Sequence, residues 1–483
     1  MLTYYYKKSK QFKLRGKLKL KKILSIALTL SILGLNTLPV TAITEEQNSH
    51  TPRQFKSMVT KNKRTTDDYK FEYVNLNYWK SFNDDLLNEY IQKAILNNYD
   101  LKMATLATEE YYQQVKQQFA SELPSAGIGY APNYVKIPGN SSGEWTFAAP
   151  ALVQYEFDIF LKNHDKTKAA KKNYESSKFD ERAAYIAVAA AVGTTYLNIV
   201  ELDRTIALQE EIVQDRQIIF DLMLLRNKEG LTSTADTIKA NKSLVAGKTD
   251  LLELKKQRET LLHQLAVLIG ESPENTANIA RNSLDDINYN YTIPDSISTE
   301  IIMQRPDYLS AEKQVEKAGL DVSIARKEFL PTINLSGLAL FNTTNFGSLF
   351  STKGMLYALG GAALLPLFTG GSRVATLRLK KNTYERLLQN YYKTNLTAMQ
   401  EINDSLVSVR LDKEKMSQTL KQANLERADY KYNEMRYEQG TISKLDLIQF
   451  RENLLTIDKL VAQQKVECMV DYIGLYKAAG SKI

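Results

Sequence analysis

The 483 residues hold a single cysteine, Cys468, and three histidines, His50, His164 and His263. One cysteine cannot form an intrachain disulfide, and Cys468 falls inside a helical pattern, where it reads as a small core residue. No two histidines have metal-ligand spacing, and neither H-E-x-x-H nor C-x-x-C occurs, so no metal site is expected. Gly360-Gly361 and Gly370-Gly371 lie in and after a strand pattern, the wrong context for a nucleotide-binding turn. Nothing marks a Ser-His-Asp triad. Most carboxylates sit on helical patterns beside Lys or Arg, as on solvated faces. The chain is therefore not read as an enzyme, and no catalytic residue or cofactor is expected. No run of 18 or more apolar residues appears, which argues against a membrane-spanning helix.

Acidic residues are missing from the N-terminus. Residues 1–22 carry nine Lys and Arg and no acid, and an apolar run follows from Ile23 to Leu35. The run ends near the small-residue pattern Val40-Thr41-Ala42, so residues 1–42 read as a secretory signal peptide. At 13 residues the apolar run is too short for an anchoring helix. Without those nine cations, Lys and Arg total 54 against 55 Asp and Glu. The basic sequence pI of about 9.0 is thus mostly a property of the leader and gives no support for nucleic-acid binding. No cysteine follows the cleavage pattern, so a lipid anchor is not indicated.

What is present is a repeat. Phe119-Ala120-Ser121-Glu122-Leu123-Pro124-Ser125 resembles Glu328-Phe329-Leu330-Pro331-Thr332, and Pro124 to Pro331 is a step of 207. Arg226-Asn227-Lys228-Glu229-Gly230 resembles Arg436-Tyr437-Glu438-Gln439-Gly440, a step of 210, and Asp236 and Asp446 each follow six residues after the glycine. Matches in order with little drift point to a duplication. After an N-terminal extension (43–74), the repeats are assigned to 75–297 and 298–483. Each reads as helix, two strands and a helical hairpin. In the first, helices are expected over Asp84–Asn98 and Asp100–Glu122, strands near Ala126–Val135 and Trp145–Asp158, and a hairpin over 165–269. In the second, the pieces are Pro306–Phe329, strands near Thr332–Phe341 and Leu356–Phe368, and a hairpin over 372–479. Gly230 suits the left-handed position after a helix, and Thr232 or Ser233 can cap the next one. A helix of about 64 residues is roughly 95 Å long, and each could lie beside two shorter ones stacked end to end. That describes an elongated coiled-coil cylinder rather than a globule.

The strands alternate. Trp145, Phe147, Ala149, Ala151, Val153, Tyr155 and Phe157 share one face, while Gln154, Glu156 and Asp158 lie on the other. Ile333, Leu335, Ala339 and Phe341 similarly oppose Asn334 and Ser336. Such alternation over about ten residues suits a transmembrane barrel strand, and equally a soluble sandwich with one wet face. Segments Pro138–Gly143 and Asn342–Lys353 would be the hairpin connections. In lipid, four strands cannot leave open edges, so several chains would share one barrel, and three would supply twelve strands.

These residues resemble a known family. Arg305-Pro306-Asp307-Tyr308 through Ala311-Glu312 to Ala325-Arg326-Lys327-Glu328-Phe329-Leu330-Pro331-Thr332-Ile333 is similar to the R-P-D…A-E…A-R…F-P-x-I signature of TolC-type outer-membrane factors. Tyr155-Glu156-Phe157-Asp158-Ile159-Phe160, Pro366-Leu367-Phe368-Thr369-Gly370-Gly371 and Tyr78-Trp79-Lys80-Ser81-Phe82-Asn83-Asp84 resemble its other elements. The resemblance spans roughly residues 75–480 and is nearest the subgroup paired with resistance–nodulation–division pumps. It implies a mainly α fold with a small β part: four transmembrane strands per chain, a twelve-stranded barrel as a homotrimer, and a long helical barrel. It also implies an outer-membrane location with a periplasmic extension, and passive conduction of drugs or other small molecules out of a tripartite efflux system. The implied partners are a periplasmic adaptor, an inner-membrane pump and outer-membrane lipid, with no nucleic acid. The same duct could serve a type I-like protein secretion system. By resemblance, the hairpin tips meet the adaptor (Arg226, Gly230, Leu231, Thr232; Arg436, Gly440, Thr441, Ile442). Leu445, Asp446 and Gln449 narrow the periplasmic aperture, Leu445 at the apolar constriction and Gln449 where relatives often carry Asp. Gln154, Glu156, Asp158, Asn334 and Ser336 are expected on the lumen-facing side of the barrel. Asn163 stands where Gly or Arg-like turns are common, so the barrel-to-helix transition is expected to differ. Relatives of the subgroup often carry a lipid-anchor Cys that this chain lacks.

Overall fold

A computed structural model of the chain describes residues 71–136, 142–287, 289, 297–352 and 355–482. The expected leader, most of the N-terminal extension and most of the Pro138–Gly143 connection lie outside the described residues. The helices are α1 (Leu76–Lys80), α2 (Asp85–Asn97), α3 (Tyr99–Ala120), α4 (Lys162–Lys228), α5 (Thr234–Leu268), α6 (Thr299–Met303), α7 (Pro306–Lys327), α8 (Ser372–Glu438) and α9 (Lys444–Ala478). The strands are β1 (Ser125–Ile128), β2 (Ala131–Val135), β3 (Glu144–Glu156), β4 (Thr332–Thr343) and β5 (Met355–Leu364).

The two halves match in length. α4 and α8 each have 67 residues, α5 and α9 each 35, and α3 and α7 each 22. At 1.5 Å per residue the long helices reach about 100 Å. α4 packs along α3 and α5, and α8 along α7 and α9, so each long helix lies beside two shorter ones. α4 also packs against α7 and α9 and thereby joins the halves. This placement explains a large asymmetry. Of α4's residues 24 are buried, against six in the equally long α8, which lies at the edge.

Local sequence sets the ends. Asp84 caps α2 by accepting from Leu87 N–H at 3.1 Å, and Asn98 caps α3 by accepting from Leu101 N–H. Ser233, rather than Thr232, caps α5. α4, α5, α8 and α9 all end on a glycine with positive φ: Gly230, Gly270, Gly440 and Gly480. Each has the paired 6→1 and 5→2 bonds of a Schellman motif, for example Glu271 N–H to Ala266 O at 2.8 Å and Gly270 N–H to Val267 O at 3.1 Å.

The main core forms where α1 and α2 meet the middle of α4 and the ends of α5 and α9. Trp79, Phe82, Tyr185, Tyr196 and Tyr476 are its largest fully buried members, with Leu87 and Ile91 beside them. Each buried side chain of this size contributes about 1.5–3 kcal/mol. Among the described residues one helix, α4, has an 18-residue window apolar enough to cross a membrane, and 61% of that window is buried in the protein. The sequence had indicated no such helix, because Gly193, Thr194 and Thr195 interrupt the apolar run; the stretch serves as a core helix.

Candidate functional site

The hairpin tips are preformed turns. Gly230 sits at φ 70 and donates to Asn227 O at 3.0 Å, and Leu231 N–H donates to Arg226 O at 2.8 Å. Gly440, at φ 73, repeats this with Tyr437 O, and Thr441 N–H with Arg436 O, both at 2.9 Å. Asn227 Nδ2 closes the first tip on Thr232 O, and Thr441 Oγ1 closes the second on Arg436 O, again both at 2.9 Å. The Arg226 side chain is exposed, whereas Arg436 donates to Asn433 Oδ1 and lies over the Tyr432 ring. Leu231 projects with 69% of its surface exposed, and Ile442 is half-buried.

The aperture residues open α9. Leu445 is half-buried, and Gln449 is exposed and donates to Asn453 Oδ1 at 3.3 Å. Asp446, exposed beside them, also has a local role at the start of α9. It forms a capping box with Ser443, whose N–H and Oγ both donate to Oδ2, and these bonds hold its carboxyl below the usual range. The sequence reading missed what lies behind it. Asp215-Arg216 on α4 faces Arg451-Glu452 on α9 in opposite charge order. Arg451 Nη1 reaches Asp215 Oδ1 at 2.9 Å and Nη2 reaches Glu211 Oε2 at 2.8 Å. Arg216 Nε donates to Glu452 Oε1 at 2.7 Å. Asp215 is buried; burial pushes its carboxyl up and Arg451 opposes the shift. The four residues clamp the two hairpins together behind their tips. The only sequence signal is the pair of adjacent opposite charges, which many solvated helices share.

The sheet has the order β1/β2, β3, β4, β5, antiparallel throughout. The first expected strand is divided at Gly129-Tyr130, yet β1 and β2 hold one register on β3, and Gly129 N–H still donates to Pro150 O at 2.8 Å. Trp145, Phe147, Val153, Tyr155, Leu335 and Leu359 fall on one face, because they are paired or alternate in register. Gln154 pairs with Ser336, and Glu156 with Asn334, on the other face. Asp158 is not with them. β3 ends at Glu156, and Asp158 accepts from Lys162 N–H at 2.7 Å and His164 N–H at 2.9 Å, capping α4. Glu156 also binds Lys162 Nζ at 2.9 Å. The transition differs from a glycine turn, with Leu161 itself in the left-handed region at φ 58 and Asn163 buried. Likewise β5 ends at Leu364, short of the expected Phe368. Among the described residues, β1/β2 and β5 have no partner on their outer sides. No group of three His, Cys, Asp or Glu among them is placed to hold a metal.

The signature residues prove to be structural. Arg305 is buried and donates to Asp307 Oδ1 and Oδ2 at 3.0 and 2.7 Å, to Glu401 Oε2 at 2.6 Å and to Ala478 O at 2.6 Å. One guanidinium thus fastens α7, α8 and the end of α9. Asp84, beyond its capping role, accepts from Tyr196 Oη at 2.7 Å and Asn282 Nδ2 at 2.9 Å.

Residues 90–271 and 297–481 match the family of outer membrane efflux proteins. The chain belongs to that family. Like other members, it is an outer membrane protein that serves efflux. It is 27% identical over 419 residues to the toluene efflux pump outer membrane protein TtgC of Pseudomonas putida, across 83% of this chain and 84% of that protein. It is 22% identical over 419 residues to the cation efflux system protein CusC of Escherichia coli, across 84% of this chain and 89% of that one. Among solved structures, the CmeC outer membrane channel of Campylobacter jejuni superposes with a TM-score of 0.75 at 24% identity, across 92% of this chain and 94% of that one. VceC of Vibrio cholerae gives 0.73 at 22%, across 84% of this chain and 99% of that one. These structural likenesses bear on the fold of this efflux protein, which they match over nearly the full length of both solved chains.

Proposed function

We propose that three copies of this chain close one twelve-stranded barrel in the outer membrane and one helical tube beneath it, forming the passive exit duct of a tripartite efflux system. The observation that carries this reading is the pair of unfilled edges. One side of the sheet is apolar apart from Thr343 at its end, and the other is mixed, with Gln154, Glu156, Asn334 and Ser336 at one end and Leu152, Leu338 and Leu340 further along, so hydrocarbon on the first and a water-filled interior on the second suit the polar end. A sheet with free outer strands cannot stand in lipid, and further copies supply the missing partners. The sparsely buried α8 follows the β5 edge in the chain and leaves most of its surface free for a neighbouring copy.

In this duct the repeats at 75–297 and 298–483 each supply one hairpin tip for a periplasmic adaptor, which joins the duct to an inner-membrane pump. Leu445 narrows the aperture. Gln449 is neutral, so closure rests on a leucine constriction and on the Arg451 and Arg216 clamp rather than on a ring of carboxylates. The relatives' names (toluene, antibiotic and cation efflux) favour small molecules over secreted proteins as cargo. The test is complementation. In cells lacking their own outer-membrane efflux component, the chain is expected to restore resistance only with a cognate adaptor and pump, and Gly440→Val is expected to abolish it. Resistance restored without adaptor or pump would contradict the tripartite assignment.

A further inference from the structure

Between Glu328 and Lys353 the chain carries no charged residue, so neither β4 nor the connection that follows it holds a charge. The other connection of the sheet, by contrast, runs between Lys136 and Glu144. Within the uncharged connection Phe346, Leu349 and Phe350 stand at i, i+3 and i+4, and a single helical turn begins at Phe346, so the three fall on one side of it. A loop standing in water gains nothing from gathering three apolar side chains on one side.

We propose that residues 343–351 form a membrane-facing strap. It folds back over the apolar side of the sheet and seats Phe346 and Phe350 among the acyl chains of the outer leaflet, rather than standing over the mouth of the duct. This rests on the reading above that the apolar side of the sheet meets hydrocarbon.

The connection leaves β4 and has to return to β5, yet it leans the other way. The Phe346 ring packs edge-on against Phe147 of β3, with centroids 5.6 Å apart, and against Tyr130, between β1 and β2, at 6.2 Å. The Phe350 ring packs edge-on against Phe341 of β4 at 5.6 Å. Phe341 pairs with Ala149, and Phe147 is two residues from Ala149 on β3, so both touched rings belong to the apolar side. The burial pattern agrees. Ala149, beside those two phenylalanines, is 1% exposed and Leu349 of the strap 5%, whereas Val153, further along the same side of β3, is 46% exposed. The strap thus crosses β4 and β3 on the apolar side and covers the end of it.

Its own outer surface continues what it covers. Phe346 and Phe350 keep 62% and 66% of their surface exposed, in line with the open Leu335, Tyr357 and Leu359 of the sheet. The backbone is prepared for the same surroundings. In hydrocarbon an N–H without an acceptor is costly, because no water can take its place. The strap supplies acceptors from within. Asn345 N–H donates to Thr343 Oγ1 at 3.1 Å and Gly347 N–H to Asn345 Oδ1 at 3.0 Å. Ser348 N–H donates to Asn345 O at 3.0 Å, Leu349 N–H to Phe346 O at 3.1 Å and Ser351 N–H to Ser348 O at 2.9 Å. The hydroxyls of Thr343 and Ser348 bond each other at 2.9 Å. Its polar groups therefore close on themselves while its rings face out.

Fluorescence quenching in the full mature chain tests this, in a Cys468→Ser background. Single cysteines at Phe346→Cys, Phe350→Cys, Tyr357→Cys on the sheet and Leu231→Cys at a hairpin tip each carry an environment-sensitive fluorophore. All four side chains are largely exposed, so the substitutions leave the packing intact. The labelled protein is placed in phosphatidylcholine vesicles, with nitroxide-bearing acyl chains as one quencher and iodide on both sides of the bilayer as the other. The labels at 346 and 350 are expected to lose as much fluorescence to the nitroxide chains as the label at 357, and to be shielded from the iodide that quenches 231. Iodide quenching at 346 and 350 as strong as at 231, with 357 still quenched from the lipid, would place the connection in water and overturn the strap. Access of neither quencher to 346 and 350 would mean that a neighbouring copy covers them, which also overturns it. Absence of lipid quenching at 357 would remove the hydrocarbon reading of the sheet itself. Asn345→Ala, which takes the acceptor from Gly347 N–H, is expected to raise iodide quenching at 346, and unchanged quenching would overturn the role given to the internal bonds.

Discussion

Two glycines inside helices make opposite demands on a single methyl group. A Cβ on Gly193 of α4 would stand 2.5 Å from Trp79 Cζ3, 2.8 Å from Cη2 and 3.0 Å from Ile473 Cδ1. Trp79 is fully buried and cannot retreat, with the rings of Tyr78, Phe82 and Tyr476 at 5.2, 5.9 and 5.3 Å. Gly193→Ala should therefore cost about 1–3 kcal/mol in overpacking, of which a helix-propensity gain of about 1 kcal/mol returns only part. Gly474 of α9 is exposed, with nothing within 4 Å of its would-be Cβ, so Gly474→Ala should gain about 1 kcal/mol. Denaturant midpoints of the purified protein in detergent, measured side by side, are expected to move in opposite directions. Equal shifts, or a stable Gly193→Ala, would refute the reasoning that Trp79 is packed against the backbone of α4.

Leu445→Ser is expected to raise single-channel conductance in planar bilayers by admitting water at the constriction, and an unchanged conductance would remove Leu445 from the gate. Arg451→Ala leaves Asp215 buried without its cation. Since Arg451 is itself partly exposed, the expected loss is about 1–3 kcal/mol of closed-state stability, seen as more frequent openings that Asp215→Asn partly reverses. Burial and the neighbouring Asp412 push the Asp471 carboxyl on α9 up from 3.8 to about 7. A raised folded-state value stabilises the fold fully below the ordinary carboxyl range, and this contribution is lost as pH rises through about 7. The unfolding midpoint should therefore fall between pH 4 and 7 in the wild type, and much less in Asp471→Asn.

Much of this architecture was legible because its signals are local. The glycines at 230 and 440 and the cap at Thr232 or Ser233 act within one turn, so the long helices could be bounded within a few residues. Strand alternation placed Gln154, Glu156, Asn334 and Ser336 on one face for the same reason. What stayed hidden depends on partners distant in sequence. Asp158 looked like a strand residue because the alternation runs on through it, yet the helix that follows recruits its carboxylate. Asp446 stood out only for the aperture, and its capping box with Ser443 is a further role the pattern did not announce. Arg305 stood out only as part of a signature; its task, holding Glu401 and the carbonyl of Ala478, appears once α7, α8 and α9 converge. The clamp between Asp215-Arg216 and Arg451-Glu452 joins residues 236 positions apart, which no local pattern reports.

The claim that copies of this chain form a conducting duct is tested most directly by single-channel recording of the purified mature protein in planar bilayers. Discrete, small, uniform conductance steps from particles containing three chains are predicted. Silent bilayers from well-folded particles with the mass of one chain would contradict it.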